Sequence, residues 1–128
     1  MNNLALYGVI ALGGAGGACL RYFISSLALQ WFGKGFPFGT LAVNVIGSAL
    51  MGMVYAALEA EALAGHPWRA FVSIGFIGAL TTFSTFSLDT LLLVQQGAWL
   101  KAGANVILNV LCCLAAAWLG MQIIFSKG

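Results

Sequence analysis

The residues of this chain best placed to do chemistry are uncharged. Glycine, threonine, serine and phenylalanine crowd into one run, Gly75-Phe76-Ile77-Gly78-Ala79-Leu80-Thr81-Thr82-Phe83-Ser84-Thr85-Phe86-Ser87. Glycines followed by hydroxyl residues make a weak helix. Where a membrane helix breaks, its freed carbonyls can bind a cation. Phe83 and Phe86 are three apart and share a face, and Ser84 and Ser87 share the neighbouring one. Phenyl ring edges carry partial positive charge. An edge-on pair therefore favours a small anion without supplying a fixed cation to trap it. Two phenylalanines in an apolar helix also serve plain packing, against lipid or against the core.

Three further polar groups lie within apolar stretches. Asn44 follows Thr40 by one turn on the same helix face. Its amide brings two N–H donors and one acceptor, suited either to an interhelical hydrogen bond or to a partly dehydrated anion. Asn105 and Asn109, with Cys113 a turn on, form one polar stripe, read equally as glue between helices or as a pore lining. Arg21 either snorkels to an interface or stays buried, binding carbonyls or drawing anions into a vestibule. The carboxylates are peripheral: Glu59 and Glu61 follow the second apolar stretch, Asp89 falls toward the end of the third, and the first has none. His66 sits beside Pro67 in a loop. No nucleophile, base and orienting group come together as an enzyme requires. Cys19, Cys112 and Cys113 have no metal-type spacing and read as packing residues.

The elements that must hold these groups follow from composition. Of 128 residues, 62% are hydrophobic and 6% charged, against roughly 25% charged in an ordinary soluble domain. So few charges cannot cover a water-facing surface, and lipid must be the solvent over most of the molecule. A net charge of +2 is too small to suggest a nucleic-acid partner. One domain, residues 1–128, is expected, an all-α membrane protein. Crossing the hydrocarbon core takes about 20 apolar residues, and the sequence predicts four such helices at about 4–32, 38–58, 68–94 and 99–125, the third one broken. Trp31, Trp68 and Trp99 fall at predicted ends, where the interface favours aromatics. Met1-Asn2-Asn3 lacks the positive start of a cleaved signal peptide, so the first stretch is expected to be retained. The ten-residue alternation of a membrane barrel is missing.

Orientation should follow the Lys/Arg bias of the loops. Arg69 and Lys127 fall on the side of the termini, and Lys34 and Lys101 on the other, with Arg21 within the first span. A tie of this kind predicts insertion both ways up and antiparallel homodimers, since four thin helices alone barely enclose a solvated path. Small-xxx-small spacings at Gly13/Gly17, Gly14/Ala18 and Ser48/Gly52 permit close helix contact, within one chain or between two.

Three motifs carry a resemblance along essentially the whole chain: Gly13-Gly14-x-Gly-Gly-x-x-x-Arg21-Tyr22, Gly39-Thr40-Leu41-Ala42-Val43-Asn44, and Gly78-Ala79-Leu80-Thr81-Thr82-Phe83-Ser84-Thr85-Phe86-Ser87. In order, spacing and size the sequence resembles the Fluc fluoride channels, also called the CrcB family. The resemblance implies an antiparallel, dual-topology homodimer in the cell inner membrane, with two pores that export fluoride passively. It implies a structural sodium ion at the dimer interface, held by the backbone carbonyls of Gly78 and Thr81. It also implies facing phenylalanines at Phe83 and Phe86, a pore amide at Asn44, a hydroxyl track of Ser84, Thr85 and Ser87 with Thr40 nearby, and a vestibule arginine at Arg21. Ala79 replaces a glycine common in the family. Asn105, Asn109 and Ala117 depart from its pattern in the fourth span, where the pore assignment of Asn105 and Asn109 rests on their stripe. The competing expectations are a small dual-topology, proton-coupled multidrug transporter, which would want a carboxylate in the first span, and a non-transporting four-span assembly subunit.

Overall fold

The computed structural model describes residues 2–59 and 66–127. Glu61 lies outside the described residues, as do the side chains of His66 and Lys127. Among the described residues the chain is all helical, and four rods are long and apolar enough to cross a membrane. The first rod is α1 (Asn3–Phe32) and the second α2 (Phe38–Glu59). The third, Pro67–Gln95, is composite: α3 (His66–Arg69) runs into a π-helical segment (Ala70–Ile77), then α4 (Gly78–Leu80), then after a break α5 (Phe83–Gln95). The fourth is α6 (Trp99–Lys127). These bounds match the expected spans to within one or two residues, and Trp31, Trp68 and Trp99 are exposed near rod ends.

Local chemistry sets the ends. The Asn2 side chain accepts from the Ala5 N–H at 2.8 Å and caps α1. Gly33 closes α1 at φ 75°, a left-handed conformation that glycine adopts without strain, and donates to the Leu29 carbonyl at 2.9 Å.

The break in the third rod is shorter than the Thr/Ser run suggested. Only Thr81 (φ −82°, ψ 156°) and Thr82 (φ −150°, ψ 117°) are extended. Helix resumes at Phe83 because the Thr82 hydroxyl accepts from the Thr85 N–H at 3.1 Å. That cap turns the weak run into a helix start. The π-helical turn before the break carries no sequence signal that hydropathy registers. It lies against the glycine face of α1: a Cβ at Gly13 would meet the Phe71 carbonyl, one at Gly17 the Phe76 carbonyl, and one at Gly75 the Ile10 carbonyl at 2.6 Å.

The small-residue spacings are therefore spent within the chain. Gly13 and Gly17 seat α1 on the third rod, with Gly14 beside Gly75, and Gly52 of α2 meets the Ala117 backbone of α6. Replacing Gly17 with valine drives methyl groups into the Phe76 carbonyl, an overpacking that costs about 1–3 kcal/mol. Gly17→Val is expected to melt well below wild type in detergent. Gly8→Ala, which has open space around it, should melt unchanged, and equal melting of the two variants would refute the close seat.

The buried core is thin and mostly small, including Ala28, Val43, Ala56, Ala70, Ala102 and Ala116, while large apolar side chains face outward along every rod. Lipid accepts that outward face.

Candidate functional site

The break strands the backbone groups of Thr82, and α2 supplies what the helix no longer does. Asn44 Oδ1 accepts from the Thr82 N–H at 2.8 Å, and Asn44 Nδ2 donates to the Thr82 carbonyl at 3.2 Å. The second N–H of Asn44 goes to Asn109 Oδ1 at 3.0 Å. Both donors of this amide are thus engaged, and an anion meets them only by displacing an oxygen of Thr82 or Asn109. Asn109 in turn donates to the Asn105 carbonyl (2.8 Å) and to Asn105 Oδ1 (3.0 Å), and Asn105 donates to Thr90 Oγ1 at 2.9 Å.

Arg21 reaches the break in the third rod. It is half-buried, and its Nε donates to the Ala79 carbonyl at 3.0 Å, which satisfies one carbonyl freed at the end of α4. The neighbouring carbonyls of Gly78 and Thr81 receive no hydrogen bond from the described residues: Thr81 N–H turns back to Ile77, Thr82 N–H goes to Asn44, and Thr85 N–H goes to the Thr82 hydroxyl. Gly78 is exposed and Thr81 half-buried on the outer face of the single chain.

The phenyl rings of Phe83 and Phe86 lie with centroids 5.4 Å apart and planes tilted by 54°. Phe83 is 78% exposed. An open cavity of about 340 Å³ runs beside them, walled by Asn44, Thr81, Thr82, Asn109 and Cys113 among others. A second open cavity of about 340 Å³ lies toward the Lys34 and Gln96 loops, with Thr40, Thr85 and Asp89 on its wall. There Thr40, itself buried, donates its hydroxyl to Asp89 Oδ2 at 2.8 Å.

The expected hydroxyl track is therefore divided in the single chain. Thr40 and Thr85 share the loop-side cavity, whereas Ser84 and Ser87 are exposed beside Phe83 and line neither cavity. Ser87 returns its hydroxyl to the Phe83 carbonyl at 2.9 Å, and Ser84 pairs with the Thr82 hydroxyl at 3.3 Å. Asn109 reaches the cavity wall at 5% exposure, while Asn105 lies behind it at 0%. Thr82, Asp89 and Thr90 join the site although the sequence did not mark them as site residues. For Asp89 the available signal was a carboxylate still six residues short of the end of the third rod at Gln95, and Thr82 and Thr90 had none beyond their hydroxyls.

A family model described as CrcB-like protein, Camphor Resistance (CrcB), matches residues 8–121, a stretch that reaches into all four rods. The chain belongs to the CrcB family. Similar proteins share it nearly end to end. A protein of Pseudoalteromonas translucida named fluoride-specific ion channel FluC is 58% identical over 120 residues, covering 94% of this chain and 100% of the relative. One of Vibrio vulnificus with the same name is 56% identical over 126 residues, 98% of this chain and 100% of the relative. One of Vibrio cholerae, again so named, is 55% identical over 120 residues, 94% of this chain and 95% of the relative. In this CrcB chain the matched region contains every group described above, from Arg21 to Asn109.

Proposed function

We propose that this CrcB protein is a fluoride-specific ion channel, not an enzyme, which lets fluoride leave the cell passively and so prevents its toxic accumulation. The observation that carries the reading is the open face at the break of the third rod. Unpaired carbonyls, a tilted phenylalanine pair and hydroxyls meet there, in a bundle otherwise built for lipid. The names of relatives at 55–58% identity support the choice of fluoride.

The chemistry fits the ion. Fluoride is small and strongly hydrated, so a path must replace its water with several weak donors in series. Phe83 and Phe86 offer ring edges and Ser84 and Thr85 offer hydroxyls, while Asn44, Thr40 and Ser87 donate to the ion by exchanging the bonds they make to Thr82 and Asn109, to Asp89 and to the Phe83 carbonyl. None is a fixed cation that would hold the ion, and selection against the larger chloride falls to the narrowness of the path. Arg21, bound at the break, adds positive potential near the site.

The carbonyls of Gly78 and Thr81 make the case for a second copy. Backbone groups without partners do not face hydrocarbon. Two copies meeting in antiparallel fashion at this face would bring together two such carbonyls from each, a set of hard oxygen donors that fits a structural sodium ion. The same meeting would enclose the open cavity beside Phe83 and build two pores. With Arg21 occupied at the break, the loop charges stand at Lys34 and Lys101 against Arg69 and Lys127. This balance supports insertion in both orientations, in the cell inner membrane.

The test is fluoride release from proteoliposomes, followed with a fluoride electrode. Fluoride should escape while chloride stays trapped, and trapped fluoride in vesicles holding a dimeric protein would reject the reading. Dialysing sodium out against a large organic cation should slow release and weaken the dimer. Unchanged release and dimer after exhaustive sodium removal would dismiss the sodium site alone.

A further inference from the structure

We infer that Asn105 and Asn109 are positioning residues: they form an amide relay that locks Asn44 onto the Thr82 backbone and so splints the break in the third rod. The inference stands on hydrogen bonds within one chain, and it rests on the proposed function only where ion flux is the readout.

The break leaves Thr82 with an N–H and a carbonyl that an apolar bundle cannot leave bare. Asn44 meets both, as a neighbouring strand would, through Oδ1 at 2.8 Å and Nδ2 at 3.2 Å. Turning this amide over would set oxygen against oxygen. Its remaining N–H needs an acceptor, and Asn109 Oδ1 is that acceptor at 3.0 Å. Asn109 presents oxygen to Asn44 because its own N–H groups are drawn the other way, to the carbonyl and Oδ1 of Asn105 at 2.8 and 3.0 Å. Asn105 is held in turn by donating to Thr90 Oγ1 at 2.9 Å, and Thr90 donates to the Phe86 carbonyl at 2.8 Å. Every bond in this series points the same way, from Asn44 through Asn109, Asn105 and Thr90 to Phe86. Such a series is satisfied throughout, and its members support one another. The relay leaves the third rod at Thr82, crosses α2 and α6, and returns to the rod at the ring-bearing turn.

Position separates this role from that of an ion ligand. Asn105 is fully buried and lines neither of the two cavities described, so its amide is shielded from an ion in either. An aspartate at either place would lose the donors that set the direction, and a leucine would lose both donor and acceptor.

The experiment measures hydrogen exchange of the Thr82 amide in the full-length protein reconstituted in nanodiscs. Asn105→Leu should speed that exchange about five- to tenfold, the loss expected when one supporting hydrogen bond goes. The double variant with Asn109→Leu should exchange no faster than Asn109→Leu alone, because the two residues act as one unit. Thr90→Val, a milder change that removes only the far anchor, should move Thr82 the same way, and it serves where Asn105→Leu does not fold. Thr82 exchange at the wild-type rate in folded Asn105→Leu or Thr90→Val, or additive effects of the two leucines, would overturn the relay. If exchange responds but wild-type vesicles release no fluoride, the splint stands and the channel reading falls. If fluoride is released but Thr82 exchange never responds, the reverse holds.

Discussion

Replacing Asn44 with aspartate should slow fluoride release from proteoliposomes by about a hundred- to a thousandfold. Two effects act together. A carboxylate puts a like charge on the proposed anion path. At about 4 Å and an effective dielectric of about 20, that repulsion is roughly 4 kcal/mol, and each 1.36 kcal/mol is a factor of about ten in rate. The amide also loses both donors. The atom that gave N–H groups to the Thr82 carbonyl and Asn109 Oδ1 becomes an acceptor facing two acceptors. Asn109 can turn its own N–H toward the new carboxylate only by releasing Asn105. Asn44→Asp is thus expected to melt lower than wild type as well as conduct less. Wild-type release from a folded, dimeric Asn44→Asp protein would remove Asn44 from the ion path.

The second large effect belongs to the rings. Phe83→Ile and Phe86→Ile keep apolar bulk and remove the electropositive ring edge. With a ring edge serving an anion on the scale it serves another ring, about 0.5–1.5 kcal/mol, each change should slow fluoride release up to about tenfold. It should also narrow the margin of fluoride over chloride. Phe83 gives the cleaner reading, because at 78% exposure it contributes little to the stability of the single chain. Phe86 is half-buried, and its replacement by isoleucine should cost under about 1.5 kcal/mol of stability. Release at the wild-type rate in both variants would return the pair to plain packing.

Much of the candidate site is legible in the order of residues. The run from Gly75 to Ser87 announces a weak point in the third rod, and the rod does break there. Polar groups at depth mark Arg21, Asn44, Asn105 and Asn109, and each is hydrogen-bonded to another part of the chain or to its neighbour on the same helix. What periodicity does not assign is the division of the hydroxyls. Thr85 turns to the loop-side cavity and Ser84 to the outer face, because helix resumes at Phe83 and rotates successive residues apart. The direction of the small-residue faces is open too. Gly13 and Gly17 fit a contact within the chain as well as one between chains, and backbone approach to Phe71 and Phe76 decides for the former.

Apolar length, capping groups and motif spacing are enough to make this a four-span, lipid-embedded helical protein, to set where its rods begin and end, and to place it in its family. Those properties are sums over local residues. The partners at depth are assigned only in the folded bundle. Arg21 meets Ala79 across 58 residues, Asn44 meets Asn109 across 65, and Thr40 meets Asp89 across 49. The same holds for the π-helical turn that rests on the glycines of α1. In lipid a polar group must be satisfied, but hydropathy says only that a partner is needed. Which of several uncharged residues serves depends on which helices lie side by side, and that is a property of the packed bundle.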